Sequence, residues 1–178
     1  MIILAGNIGS GKTEQAHRLS SRKNWPLIST GQLLRNNPNT ERLERMVSGQ
    51  LVDDDDIIQL LSAEFGKIGA ARNELILDGA PRSPAQTDWL ISQIKAGSIK
   101  FTAAIHLTVS EPELWQRLAT RQRSDDEKAI AAIRMKEYEN TTKAALDTLA
   151  AQGFVVQEIN GEGSVEEVEA RIDQALGI

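Results

Sequence analysis

Gly6-Asn7-Ile8-Gly9-Ser10-Gly11-Lys12-Thr13 stands between the apolar run Met1-Ile2-Ile3-Leu4-Ala5 and a helically spaced segment, Thr13 to Ser21, in which Ala16 and Leu19 lie three apart. The pattern G-x-x-x-x-G-K-[ST] between a strand and a helix has a mechanical meaning. Its glycines let the backbone curl so that amide hydrogens point inward at a helix N-terminus, which makes a cradle for phosphate. Lys12 is expected to set its ammonium against β- and γ-phosphates, and Thr13 to offer a hydroxyl to Mg²⁺. Gly9, Ser10 and Gly11 complete the cradle. A glycine-rich turn that binds nothing is the competing reading, and the flanking strand and helix argue against it. The loop leaves the second substrate open.

Working outward, short apolar runs recur at Ile2 to Ala5, Pro26 to Ile28, Leu75 to Leu77, Ala103 to Val109 and Phe154 to Ile159. Short runs rich in β-branched residues read as buried parallel strands. Helical spacing lies between them. Ile57, Leu60, Leu61 and Phe65 share one face, and a long segment from about Ser124 to Ala151 carries Ile130, Ile133, Tyr138, Ala145 and Leu149 along a stripe. Ser124-Asp125-Asp126-Glu127 fits a capping box at its start, and Gly153 marks its end. This alternation predicts an α/β, three-layer P-loop NTPase fold: a five-stranded parallel sheet with helices on both faces. Ligands in such sheets bind beyond the carboxyl ends of the strands, so functional residues are expected just after each run.

Composition narrows the function classes. The 178 residues suit one buried core, 40% are hydrophobic and 25% charged, and the net charge is −5. An acidic balance offers no long-range attraction for nucleic acid or anionic lipid, so neither is an expected partner. Phosphate must instead be held by local cations and backbone amides. No cysteine is present, which removes disulfides and thiolate metal sites and is compatible with a reducing cytoplasm. No apolar stretch reaches the roughly 18 residues of a spanning helix, and the apolar run at Met1 to Ala5 reads as a strand, so no targeting peptide is expected. The Asp53-Asp54-Asp55-Asp56 run reads as a helix N-terminus rather than a metal cluster, because acids there complement the helix dipole. His17 and His106 lack a partner pattern, and Trp25, Trp89 and Trp115 read as packing residues.

Further motifs follow the later strands. Ser29-Thr30-Gly31-Gln32-Leu33-Leu34-Arg35 comes after the second, and Leu77-Asp78-Gly79-Ala80-Pro81-Arg82-Ser83-Pro84-Ala85-Gln86 includes the end of the third. Arg117, Arg121 and Arg123 precede Ser124, and Arg134 lies beyond. Together these resemble the adenylate kinase family and its short-lid relatives, the UMP/CMP kinases, from the phosphate loop to Asn160-Gly161.

The resemblance implies transfer of the ATP γ-phosphate to AMP, a chemistry of positioning and charge neutralisation that needs several converging cations. It implies that Arg35 and Arg82 hold the AMP phosphate, where planar guanidinium groups bond two oxygens at once. Lys12, Arg82, Arg123 and Arg134 would carry catalysis, with Arg121 on the ATP phosphates and Arg117 against the ATP adenine. Thr30, Val52, Gly79 and Gln86 would line the AMP site. Asp78 and Thr13 would hold Mg²⁺, largely through water. Gln86 matches the family residue that hydrogen-bonds adenine, where UMP/CMP kinases usually carry Asn, and this favours AMP as acceptor.

The departures carry expectations of their own. Only Gln122 stands between Arg121 and Arg123, which implies a vestigial lid at about 121–124 on a single kinase domain spanning 1–178. A small helical excursion at about 30–57 would bind the monophosphate. Gln32 replaces a family aspartate near the metal, and Ala80 replaces a phenylalanine beside the acceptor base. A kinase for CMP, UMP or another small acceptor, or an ATPase without kinase activity, are the alternatives. The resemblance also implies a monomer.

Overall fold

The computed structural model describes residues 1–37, 39–69, 74–121 and 127–178. Five parallel strands, β1 (Ile2–Gly6), β2 (Leu27–Ser29), β3 (Ile76–Asp78), β4 (Ala103–Thr108) and β5 (Val156–Asn160), lie in the order β2-β3-β1-β4-β5. All of β1 is buried, as expected of a central strand that is apolar on both faces. Its side chains alternate between two cores. Met1, Ile3 and Ala5 pack with Leu61, Phe65, Leu90 and Leu149, whereas Ile2 and Leu4 pack with Leu19, Ile105, Leu107 and Ile172.

Those partners assign the outer layers. One face is covered by α4 (Asp54–Ile68), α5 (Pro84–Lys95) and α8 (Lys143–Ala151), and the other by α1 (Lys12–Lys23) and α9 (Val165–Leu176). Phe65 and Trp89 stack at 5.6 Å between α4 and α5, so Trp89 is a packing residue. The expected three-layer α/β architecture is the one observed. Leu77 is fully buried where β3 meets this core. Leu77→Ala is expected to destabilise the protein by about 2–5 kcal/mol, read as a lower denaturant midpoint at unchanged slope.

Two strands end one residue later than their apolar runs suggest. β2 closes on Ser29 and β3 on Asp78, because the Ser29 hydroxyl donates to Asp78 Oδ2 at 3.0 Å and holds both polar ends in register. Sequence spacing does not reveal that cross-strand bond. The smaller helices α2 (Thr30–Asn36) and α3 (Thr40–Ser48) follow β2, and α6 (Glu111–Arg121) follows β4.

The long helix departs from expectation. α7 (Lys128–Glu137) runs through a π-helical turn, Tyr138–Thr142, into α8. Glu127 is its N-cap and makes no side-chain cap bond, while Ser124, Asp125 and Asp126 of the expected capping box lie outside the described residues. A wider turn shifts the phase of everything before it. Tyr138, Ala145 and Leu149 are buried as the stripe requires, yet Ile133 is 43% exposed. Ala131 and Met135 take the inward face instead and pack on Ile8, Leu114 and Leu118.

Candidate active site

The carboxyl ends of β1, β2 and β3 converge below the phosphate loop. Gly11 adopts φ +88 at the N-cap of α1, a left-handed conformation that a side chain would strain. This turn sends Lys12 and Thr13 into the first helical turn. The Thr13 hydroxyl donates to Asp78 Oδ2 at 2.8 Å, so Asp78 gathers hydroxyls from both Thr13 and Ser29. Asp78 is buried, yet its Oδ1 has no protein partner, and neither do the buried Ser10 Oγ and Thr30 Oγ1. Buried polar atoms are nearly always satisfied. Three orphans on one floor mark a surface shaped to meet polar groups from outside the chain.

A cleft enclosing about 1050 Å³, counted to its open mouth, rises above this floor. Lys12, Arg35, Arg82 and Arg134 line it, together with Thr30, Val52, Gly79 and Gln86. Gly79 has φ +83, and a Cβ there would lie 2.8 Å from Arg82 Nη2. The missing side chain lets the guanidinium fold back so that Nε donates to Gly79 O at 2.7 Å. Both Nη groups then remain for the cleft. Arg35 is exposed on α2, at the rim.

Arg117 and Arg121 lie around the loop rather than in this cleft. Arg117, on α6, donates from Nε to Glu113 at 2.7 Å and from Nη2 to Gly161 O at 3.0 Å. That tie links α6 to the turn after β5 beside the phosphate loop. Arg121 ends α6, close enough for its charge to act on Lys12. Arg123 and most of the expected lid at 121–124 lie outside the described residues. Asp53 caps α4 by accepting from Asp55 N at 3.0 Å, as read from the acidic run, and among the described residues no three His, Cys, Asp or Glu converge as a metal cage.

Sequence reasoning missed the wall formed by the π turn. Glu137, the last residue of α7, and Tyr138 and Thr142 of the π turn line the cleft, and the Tyr138 hydroxyl contacts His106 Nε2 beneath it. His106 titrates below its ordinary range because burial disfavours its charge, which fits a structural partner of Tyr138. No sequence signal announces a π turn, so Tyr138 reads there as core alone.

Electrostatics separates this cleft from the acidic exterior. Burial pushes the Lys12 ammonium down to about 7, opposed by Asp78 and reinforced by Arg82, Arg134 and Arg121. Arg82 is lowered too, first by burial and then by Arg134. The unfolded chain holds the Lys12 proton up to its ordinary 10.5. Lys12 therefore opposes folding below about pH 7, and that opposition fades as pH rises from 7 toward 10.5. An anionic ligand reverses the balance. Binding of an adenine nucleotide at pH 8 is expected to take up as much as about one proton. Titration calorimetry in buffers of different ionisation enthalpy reads that uptake, and Lys12→Met abolishes it.

A glycine loop leading from the central strand into α1, with a carboxylate below it and a cation-lined cleft beside it, defines a P-loop nucleotide phosphotransferase. A family model described as adenylate kinase matches residues 4–154. The chain is 35% identical to an adenylate kinase of Mycobacterium sp. (strain MCS) over 181 residues, covering 99% of this chain and 98% of that one. It is 34% identical to an adenylate kinase of Corynebacterium urealyticum, covering 94% and 93%, and 35% identical to one of Xanthomonas campestris pv. campestris (strain B100), covering 99% and 98%. The chain belongs to the adenylate kinase family.

Proposed function

We propose that the protein catalyses reversible transfer of the γ-phosphoryl group of Mg·ATP to AMP, giving two ADP. The observation that carries this reading is the meeting of Lys12, Arg35, Arg82 and Arg134 in one cleft beside the phosphate loop. A site for ATP alone has no use for a second set of guanidinium groups on the far wall. Gly9, Ser10 and Gly11 cradle the donor phosphates with their backbone, Arg117 and Arg121 flank the donor from α6, and Arg35 and Arg82 grip the acceptor phosphate. Thr30, Val52, Gly79 and Gln86 surround the acceptor base.

An acceptor phosphate oxygen forms a bond to the γ-phosphorus while the bond to the β,γ-bridging oxygen breaks, and the electron pair leaves with ADP. Lys12, Arg82, Arg123 and Arg134 neutralise the charge spread over the transferring group. No covalent intermediate is needed, because the two nucleotides are held in line. The Thr13 hydroxyl and the orphaned Asp78 Oδ1 are hard oxygen donors and fit Mg²⁺ held largely through its water shell. Bound there, the metal supplies charge neutralisation on the donor phosphates.

Helices α2 and α3, within about 30–57, serve as the acceptor-binding excursion on a single kinase domain, and the segment at about 121–124 serves as a minimal lid. A monomer in the cytoplasm goes with this reading. One observation favours a second acceptor class: Ala80 lines the cleft with a side chain far smaller than the family's phenylalanine. The test is a coupled assay of ADP formation with Mg·ATP and AMP, CMP, UMP or GMP. A dominant AMP-dependent rate that chelation abolishes supports the proposal. Equal or higher rates with a pyrimidine monophosphate overturn the acceptor assignment.

A further inference from the structure

Gln86 is almost wholly buried on the cleft wall, and both ends of its amide are already engaged by the protein. Oε1 accepts the backbone N–H of Arg82 at 2.8 Å, and Nε2 donates to Asp54 Oδ1 at 2.8 Å. The same Asp54 oxygen accepts the Ser83 hydroxyl at 2.7 Å, and Ser83 Oγ in turn accepts the Gln86 backbone N–H at 3.2 Å. Asp54 is the first residue of α4, so this small network joins the helix after the acceptor excursion to the N-terminus of α5.

The chemistry of the partners fixes which way the amide points. A carboxylate can only accept, and a backbone N–H can only donate. Turning the Gln86 amide over would set its carbonyl against the Asp54 carboxylate and its NH₂ against the Arg82 N–H. Both contacts would become repulsive inside a buried site. One N–H of Nε2 and one lone pair of Oε1 remain for the cleft. That donor beside that acceptor matches adenine, whose edge pairs a ring-nitrogen acceptor with the N6 donor. Hypoxanthine offers the reverse at that edge, with N1–H donating and O6 accepting. It needs the overturned amide.

We propose that Asp54 is a specificity-determining positioning residue: it holds the Gln86 amide in the single orientation that accepts adenine and rejects 6-oxopurine monophosphates. The proposal rests on Gln86 facing the acceptor base. The test measures kcat and KM with AMP and with IMP for the full-length protein and for Asp54→Ala, Asp54→Asn and Gln86→Ala.

In Asp54→Ala the amide loses one of its two anchors and only the Arg82 N–H still opposes turning, so the AMP-over-IMP ratio of kcat/KM falls about tenfold, a loss of one buried hydrogen bond's discrimination. That change sits in KM for the acceptor, and KM for ATP stays as in the parent. Asp54→Asn keeps an acceptor oxygen in place and preserves the ratio. It loses the negative charge at the start of α4 but keeps an acceptor for Ser83 and Gln86, so thermal stability drops less than in Asp54→Ala, and a purely structural role would lower turnover with AMP and IMP alike and leave their ratio unchanged. An unchanged ratio in Asp54→Ala overturns the lock. If Gln86→Ala also leaves the ratio and acceptor KM unchanged, the base assignment itself fails; if Gln86→Ala lowers the ratio and raises the acceptor KM and Asp54→Ala does neither, only the lock fails.

Discussion

Lys12→Met is expected to lower kcat by about three orders of magnitude, since one preorganised donor aimed at developing charge contributes about 10²–10³ and Lys12 also faces the phosphates as a full charge. The ammonium sits at the floor of the cleft, donates to Asn7 O at 3.2 Å, and has Asp78 as the nearby counter-charge. Methionine keeps most of the unbranched stem of the side chain and removes that charge. The folded protein should not suffer, because burial already disfavours the charged form. Thermal unfolding at pH 7 is therefore expected to match the parent or exceed it while turnover collapses. A variant that unfolds early would place the effect in the fold rather than in the chemistry.

Arg82→Ala is expected to reduce kcat/KM for AMP by about 10³-fold, because one bidentate guanidinium is lost from both the acceptor phosphate and the transferring group. Arg82→Lys should recover little of this, as a point charge cannot reproduce the planar fork. The backbone N–H of residue 82 survives either change, so the hydrogen bond to Gln86 Oε1 is kept. Discrimination between AMP and IMP should then persist in the residual activity even as the rate falls. Steady-state kinetics on both variants with both acceptors checks the separation of phosphate grip from base reading.

How much of this was legible in the sequence depends on the range of each interaction. The phosphate loop was readable because its function is local: eight consecutive residues set one backbone turn, and strand and helix lie on either side. The parallel sheet with helices on both faces followed from short apolar runs alternating with helical spacing, whereas the strand order is visible only in the folded chain. Arg35, Arg82, Arg134 and Gln86 were named through resemblance, and their meeting in one cleft is a property of the folded chain alone.

The unread features are those made by contacts distant in sequence. Asp54 read as one acid among four at a helix start; its bonds to Ser83 and Gln86 span 29 and 32 residues, and no local pattern encodes them. Ser29 and Asp78 extend their strands through a bond across 49 residues. Ile133 fell on the wrong face because a 3.6-residue stripe was carried across a π turn whose existence depends on packing.

The γ-phosphoryl group is expected to pass to AMP rather than to water. Supplying ATP labelled in its γ-phosphate, with Mg²⁺ and unlabelled AMP, and separating the products at early times tests it directly. The label is expected in the β-phosphate of newly formed ADP, with one further unlabelled ADP for each labelled one. Label released as inorganic phosphate at a rate indifferent to AMP would contradict it.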